Sequence, residues 1–312
     1  MNASSTDPLR ELPRTGRLLV EASAGTGKTF QLAGLVARLV AERDVPIGEI
    51  VVVTFTRTAA AELRERVRSR LVAVADGLAR LDGPEADLDS LDDPVVRLLG
   101  DIPTAGRRSR IARLRRATAD FDAAVITTIH GFCQQVLAGA GAATGHDPRA
   151  PLVADLTERL AEACSDVLAC ASLDVAAGRL ALAHDDLPKL RDLLDATRAL
   201  LANPATRVVG GPGDPLATPA NAVRARLVTE ATSALRDRLA RDGVLSYDDL
   251  LVRTRRLVRD HESVRAEIRD RFQAALVDEF QDTDQTQWDI FERVFAEPAD
   301  PRLLVLVGDP KQ

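Results

Sequence analysis

The chain is poor in aromatic and sulfur-containing residues. Aromatic side chains account for 3% of its 312 residues, and it has three cysteines, one tryptophan, one tyrosine and one methionine. The cysteines form no CxxC pair and are odd in number, which argues against a zinc site and against a disulfide framework. Reduced thiols, as found in cytoplasmic proteins, are therefore expected.

Long apolar runs are also missing. No stretch has the length of a membrane span, and the N-terminal segment MNASSTDPLRELPR lacks the apolar core of a signal peptide. The sequence therefore predicts a soluble, cytoplasmic protein without a membrane partner. A formal net charge of −6 does not by itself favour binding to a polyanion, although the distribution of charge matters more than its sum. A hydrophobic content of 46% supports a sizeable core.

The segment EASAGTGKTF at 21–30 is typical of a phosphate-binding loop. It follows a short apolar run and precedes a stretch with helical periodicity, so that backbone N–H groups and the positive end of the helix dipole would point at an anion. In such a loop Lys28 reaches the β- and γ-phosphates of a nucleotide, and the Thr29 hydroxyl binds Mg²⁺. The alternative is a glycine-rich turn without a ligand. The predicted binding residues of the loop are Ala22 (where the usual pattern has glycine), Ser23, Ala24, Gly25, Thr26, Gly27, Lys28 and Thr29.

The segment ALVDEFQDTD at 275–284 complements this loop. An apolar run predicts a buried strand, and Asp278 and Glu279 follow at its carboxyl end, the edge at which ligands bind in open α/β sheets. Asp278 is suited to hold Mg²⁺, and Glu279 is suited to orient and deprotonate an attacking water. A strand that ends in a solvated acidic turn is the alternative. Together the two segments predict a site for ATP and Mg²⁺.

Apolar runs alternate with helical stretches along the chain. This alternation predicts an α/β fold with a parallel sheet flanked by helices. With the phosphate-binding loop at its edge, the predicted fold is a P-loop NTPase (RecA-like) sheet with an alanine-rich helical insertion. The predicted strands are 18–22, 50–55, 124–128, 275–278 and 303–307, and the predicted helices are 29–43, 58–75, 130–138 and 285–296.

A basic stretch at 107–116 contains six arginines and follows an acidic, turn-rich segment at 82–93. These arginines could run along a phosphate backbone. They could equally form a solvated helix face that pairs with the acidic segment.

Six motifs in a fixed order carry a resemblance to a known family. The chain resembles the N-terminal motor region of superfamily 1A DNA helicases of the UvrD/Rep type and, within them, the RecB-like helicase–nuclease subunits of exodeoxyribonuclease V, with AddA-type subunits as the near alternative. The motifs are EASAGTGKTF (21–30), VVVTFTRTAAAELRERV (51–67), ITTIHGFC (126–133), LSYDDLL (245–251), ALVDEFQDTD (275–284) and LVLVGDPKQ (304–312).

The resemblance implies roles for further residues. Gln312, in the GDPKQ segment, would join Lys28 and Glu279 as a catalytic residue, sensing the γ-phosphate and coupling it to bound DNA. The residues implied to line the path of single-stranded DNA are Thr54, Phe55, Thr56, Arg57, Thr128, His130 and Phe132. For the two phenylalanines a place in the core, for Arg57 a solvated position, and for His130 a capping or core position are the alternatives.

The resemblance also implies the function and organisation of the chain. It implies helicase domain 1A at 1–148 and 241–312, interrupted by a 1B-like helical insertion at 149–240. The activity implied is an ATP-dependent, 3′→5′ DNA helicase stimulated by single-stranded DNA, acting in double-strand-break repair and recombination with DNA ends and RecC- and RecD-like subunits as partners. Because the chain ends before a second motor domain, weak isolated activity is expected. The rival hypothesis is a nucleotide- and DNA-binding module without turnover, and a small-molecule P-loop kinase is disfavoured.

Overall fold

The computed structural model describes residues 12–21, 27–83, 88, 91–141, 150–153, 155–202, 208–209 and 218–309. The chain divides into two compact units. One, here called the sheet unit, comprises residues 1–136 and 254–312, and the other, the helical unit, comprises residues 137–253.

The five predicted strands and the four predicted helices occur in the expected order, and the structure adds two short strands and further helices. The strands are β1 (Gly16–Glu21), β2 (Ile50–Thr54), β3 (Val125–Thr128), β4 (Leu152–Val153), β5 (Leu245–Ser246), β6 (Ala274–Val277) and β7 (Leu303–Gly308). The helices are α1 (Lys28–Arg43), α2 (Arg57–Arg80), α3 (Pro94–Gly100), α4 (Thr104–Ala119), α5 (Ile129–Ala140), α6 (Thr157–Ala176), α7 (Leu190–Ala202), α8 (Pro219–Arg241), α9 (Tyr247–Asp260), α10 (Glu262–Arg271) and α11 (Gln285–Phe295).

The sheet unit is built on five parallel strands in the order β1-β7-β6-β2-β3. All residues of β2, β6 and β7 are buried, and their sequences IVVVT, AALV and LLVLVG are continuous apolar runs. Such runs are typical of parallel strands that are covered on both faces by helices. The predicted α/β fold, with a parallel sheet flanked by helices, is confirmed.

The direction of the strands decides where the site can form. Because all five strands are parallel, their carboxyl ends meet at one edge of the sheet. The strand that precedes the phosphate-loop motif (β1) and the strand that precedes the acids (β6) therefore both lie next to β7, which ends at Gly308 and is followed by Asp309.

The helical unit has a core of its own. Buried side chains of α6, α7 and α8 pack together, and the short strands β4 and β5 pair in parallel. The unit runs from 137 to 253, whereas the sequence placed the insertion at 149–240. Its equivalence to subdomain 1B stays a prediction.

The arginines of α4 are largely engaged within the protein. Arg107 and Arg108 both form ion pairs with Asp82, at 3.2 and 3.4 Å, and Asp82 belongs to the acidic segment. Arg110 donates to the backbone carbonyl of Leu99, and Arg113 forms an ion pair with Asp44. These contacts favour the surface-pairing interpretation of the basic stretch over a track for phosphates.

All three cysteines, Cys133, Cys164 and Cys170, are free thiols. Burial raises the pKa of Cys133 to about 12, so this thiol stays protonated at neutral pH. None of the helices in the described part of the chain is long and apolar enough to cross a membrane.

Candidate nucleotide site and nucleic-acid surface

The N-terminus of α1 is prepared for an anion. Gly27 has φ 83° and ψ 31°, a left-handed conformation that glycine adopts without penalty, and α1 begins directly after it. Within the described part of the chain, no side chain caps this helix and no acid lies in its first turn. Its first N–H groups and the helix dipole are thus available to a phosphate. The predicted loop residues at 22–26, and Gln312 at the end of the chain, lie outside the described residues.

The structure brings Lys28 and Glu279 into direct contact. The Lys28 Nζ atom lies 2.8 Å from Glu279 Oε2, although the two residues are 251 positions apart in sequence. The Lys28 side chain is 12% exposed and that of Glu279 is 37% exposed. The predicted phosphate-binding lysine and the predicted catalytic acid therefore share one site at the edge of the sheet.

Glu279 occupies an unusual backbone conformation. Its φ of 52° and ψ of 43° are left-handed, which costs a residue with a Cβ about 1–3 kcal/mol. The Glu279 N–H donates to Asp278 Oδ1 at 3.0 Å, so the neighbouring acid helps to hold this conformation. Strained residues of this kind cluster at active sites, where surrounding structure holds a side chain in a defined direction.

The environments of the two adjacent acids push their pKa values apart. Burial, and then the charge of Glu279, raises the pKa of Asp278. Burial also acts to raise the pKa of Glu279, but hydrogen bonds from Lys28 and Gln281 and the charge of Lys28 outweigh it, so this pKa is lowered. Divergent pKa values of paired acids are typical of catalytic sites.

The buried carboxylate of Asp278 fits a divalent cation. It is 9% exposed and has less compensating positive charge than Glu279, which binds Lys28 directly. Mg²⁺ is usually held in proteins by one or two carboxylates together with substrate phosphates. Asp278 and Thr29, which is half-buried in the first turn of α1, are the residues that would hold it.

The residues expected to line a DNA path differ widely in exposure. Phe55 is half-buried, and Thr56 and Arg57 are exposed at the start of α2, where the Thr56 side chain accepts a hydrogen bond from Ala59 N–H. Thr54 is 1% exposed. The Phe55–Arg57 segment is therefore the part of this motif that reaches the surface.

The segment after β3 is less accessible. The Thr128 hydroxyl accepts a hydrogen bond from Gly131 N–H at 3.0 Å, so it caps α5. His130 is half-buried, and burial lowers its pKa even though the charge of Asp284 acts in the opposite direction. A lowered pKa leaves His130 neutral at physiological pH, so it would contribute no positive charge towards phosphates.

Phe132 requires a correction. Its ring is 1% exposed and is stacked on Phe291, with centroids 5.3 Å apart, next to Phe272 and Phe295. The ring cannot stack on a base, because it is buried among these three other rings. The core interpretation of Phe132 is therefore the one that the structure supports. Apolar spacing on α5 and α11 carried this signal, because Phe132 of α5 packs against Phe291 and Phe295 of α11.

Two substitutions separate the core phenylalanine from the surface one. Phe132→Ala is expected to destabilise the protein by about 3–5 kcal/mol, because it removes a fully buried ring and leaves a cavity. Phe55→Ala is expected to leave the unfolding free energy within about 1 kcal/mol while it weakens binding of single-stranded DNA, since base stacking contributes about 1–3 kcal/mol per base. Urea unfolding and fluorescence anisotropy measure the two quantities. Equal destabilisation by both substitutions would contradict the distinction.

One contact at the site was not anticipated from sequence. Asp309, in the GDP segment, is 4% exposed, and its N–H donates to the Gln281 side chain at 3.0 Å. Gln281 also donates to Glu279. No sequence pattern identifies the atoms that join these two segments.

A parallel sheet with a helix N-terminus, a lysine and two acids at its carboxyl edge defines a P-loop NTPase domain. The whole chain, residues 1–312, matches the family model of the UvrD/REP helicase N-terminal domain, and the chain belongs to this family.

Similar curated proteins are longer. The chain is 40% identical over 307 residues to the RecBCD enzyme subunit RecB of Mycolicibacterium smegmatis, a match that covers 96% of this chain and 26% of that protein. It is 28% identical over 426 residues to the RecBCD enzyme subunit RecB of Escherichia coli, covering 99% of this chain and 35% of the relative. It is also 28% identical over 317 residues to the ATP-dependent DNA helicase UvrD2 of Mycobacterium bovis, a match that covers 99% of this chain and 37% of that protein. The chain thus spans about a quarter to a third of the length of these relatives.

Proposed function

We propose that this chain is the first motor domain of a RecB-like, ATP-dependent DNA helicase, in which ATP hydrolysis drives movement along single-stranded DNA. The observation that carries the proposal is the 2.8 Å contact between Lys28 and Glu279 at the carboxyl edge of the sheet. It joins the two motifs that bind and hydrolyse a nucleoside triphosphate. The relatives named RecB and UvrD2 support the same function.

The site's own residues account for hydrolysis. The phosphates bind at the N-terminus of α1, and Lys28 turns from Glu279 to the β- and γ-phosphates. Glu279, released from this ion pair, accepts a proton from the attacking water. Asp278 and Thr29 would hold Mg²⁺, which neutralises charge on the phosphates.

The exposed Phe55–Arg57 segment is proposed to contact the DNA. It runs from the end of β2 to Arg57, the first residue of α2, and β2 is the neighbour of β6, the strand that precedes the two acids. Phe55 can stack on a base, and Arg57 can contact a phosphate. A movement of the acids after β6 during ATP hydrolysis would be passed to the DNA-contacting segment after β2, because β6 and β2 are adjacent strands.

Further parts of the proposal rest on the relatives and on the motif resemblance. These parts are a 3′→5′ direction of movement, a role in double-strand-break repair and recombination, RecC- and RecD-like partners, DNA ends as substrate and a cytoplasmic location. The sheet unit would correspond to subdomain 1A and the helical unit to 1B.

The test is ATP hydrolysis by the 312-residue chain with and without single-stranded DNA. We expect turnover that DNA stimulates, and we expect the stimulation to fall steeply as NaCl rises, because phosphate contacts dominate such binding. Nucleotide binding without turnover would instead identify the chain as a binding module. Failure to bind nucleotide at all would overturn the proposed site.

A further inference from the structure

The side-chain amide of Gln281 joins two segments of the sheet edge. Its Nε2 donates to Glu279 Oε2, and its Oε1 accepts a hydrogen bond from Asp309 N–H at 3.0 Å. One amide thus uses its donor on the predicted catalytic acid and its acceptor on the backbone that follows β7. Since β6 and β7 are adjacent strands, the bridge spans neighbouring carboxyl ends.

The surroundings of Gln281 keep this amide in place. Gln281 lies within a 3₁₀ turn at Phe280–Asp282 that is closed by the hydrogen bond from Asp282 N–H to the Glu279 carbonyl at 2.9 Å. On the other side it packs against Gly308, where a Cβ would lie 3.0 Å from Gln281 Oε1 and 3.4 Å from its backbone nitrogen. A Cβ at position 308 would therefore displace the Gln281 amide by a few tenths of an ångström.

Lys28 and Gln281 donate to the same oxygen of Glu279, Oε2. In the proposed reaction Lys28 turns to the phosphates. Of the side-chain donors to Glu279 Oε2 seen among the described residues, Gln281 then remains in place. A carboxylate that must orient a water needs such a restraint, since a misplacement of about 1 Å can cost about 100-fold in rate.

We propose that Gln281 is a positioning residue that ties the carboxylate of Glu279 to the backbone at Asp309, so that displacement of the Gly308–Asp309 segment reorients the catalytic acid. This inference rests on the proposed function, because it takes Glu279 as the base. The Gln281 bridge would connect the catalytic acid to the end of β7, the strand that leads into the GDPKQ motif.

The test compares Gln281→Leu with the matched control Gln285→Leu. Gln285 is an exposed glutamine in the first turn of α11, and its Nε2 donates to Asp289 rather than to the site. We expect Gln281→Leu to lower kcat about 10- to 100-fold while KM and the Kd for a nonhydrolysable ATP analogue stay within about twofold. The control should leave kcat, KM and Kd unchanged.

A second variant changes the other side of the Gln281 bridge, at Gly308, the last residue of β7. Gly308→Ala should displace the Gln281 amide by a few tenths of an ångström and lower kcat by less than Gln281→Leu does, with nucleotide affinity retained. Hydrogen exchange of the Asp309 amide, followed by NMR, reports the bridge itself and should accelerate in Gln281→Leu but not in Gln285→Leu.

The outcomes separate this inference from the proposed function. Wild-type kcat in Gln281→Leu, or an equal loss of kcat and nucleotide affinity, would overturn the positioning role while the motor assignment stands. If the wild-type chain binds nucleotide without turnover, the proposed function fails. The exchange rate of the Asp309 amide then tests the Gln281 bridge by itself, and equal protection in the wild type and in Gln281→Leu would overturn the bridge.

Discussion

Lys28→Ala is expected to abolish nucleotide binding at micromolar concentrations. The substitution removes the ammonium group that would contact the phosphates and leaves the charge of Glu279 without its partner at 2.8 Å. An unpaired carboxylate would then face an incoming anion. Removing one partner of a desolvated, hydrogen-bonded charge pair between protein and ligand, here the proposed pair of Lys28 and phosphate, costs about 2–5 kcal/mol of binding free energy, which corresponds to a loss of affinity on the order of 30-fold or more.

Isothermal titration with ATP and with a nonhydrolysable analogue measures this loss. Lys189→Ala is the matched control, because Lys189 is an exposed lysine outside the sheet unit. Thermal unfolding of both variants shows whether the fold is retained. Wild-type affinity in a folded Lys28→Ala protein would refute the phosphate-loop assignment.

Glu279→Gln is expected to retain nucleotide binding and to lose hydrolysis. Glutamine keeps the size of the side chain but cannot accept the proton of the attacking water at neutral pH. General-base catalysis contributes about 10²–10⁴ in rate, so kcat should fall by a factor in that range. Nucleotide affinity should stay the same or rise, because the substitution removes a negative charge beside the phosphates and releases Lys28 to them.

Single-turnover hydrolysis and nucleotide titration separate the two effects. Glu267→Gln, an exposed glutamate on α10, is the matched control. The pH dependence of kcat/KM in the wild-type protein gives a further check on Glu279 as the base. Glu279 has a lowered pKa in the nucleotide-free protein and must be ionised to act, so the acid limb of kcat/KM should lie below the usual glutamate pKa of about 4.3. Hydrolysis at the wild-type rate in Glu279→Gln would exclude this residue as the base.

The sheet was the most predictable part of the fold. The five strands lie where the apolar runs indicated, with boundaries shifted by at most two residues, because a buried parallel strand requires a continuous apolar run. The carboxyl-edge position of Lys28, Asp278 and Glu279 followed from the same reasoning, since parallel strands end at one edge. The left-handed backbone of Glu279 could not be anticipated, because it depends on contacts made after the strands have assembled.

The accessibility of the DNA-path residues was harder to predict. A motif assigns Phe55 and Phe132 similar roles, and a phenylalanine at a strand end or on a helix can face either water or the core. Which one is buried depends on what packs against it, here the rings of Phe272, Phe291 and Phe295 from distant parts of the chain. The same argument applies to the arginines of α4, whose partners come from other elements.

The sequence by itself determined the positions of the five sheet strands and of the four helices α1, α2, α5 and α11, the order of the motifs and the chemical character of the nucleotide site. These properties depend on local apolar periodicity and on residue types within single segments. Only the tertiary structure decided that Lys28 binds Glu279, that Phe132 is buried and that Gln281 connects Glu279 to Asp309. These contacts join residues far apart along the chain or depend on the distance between neighbouring strand ends, and such distances are set by packing in three dimensions.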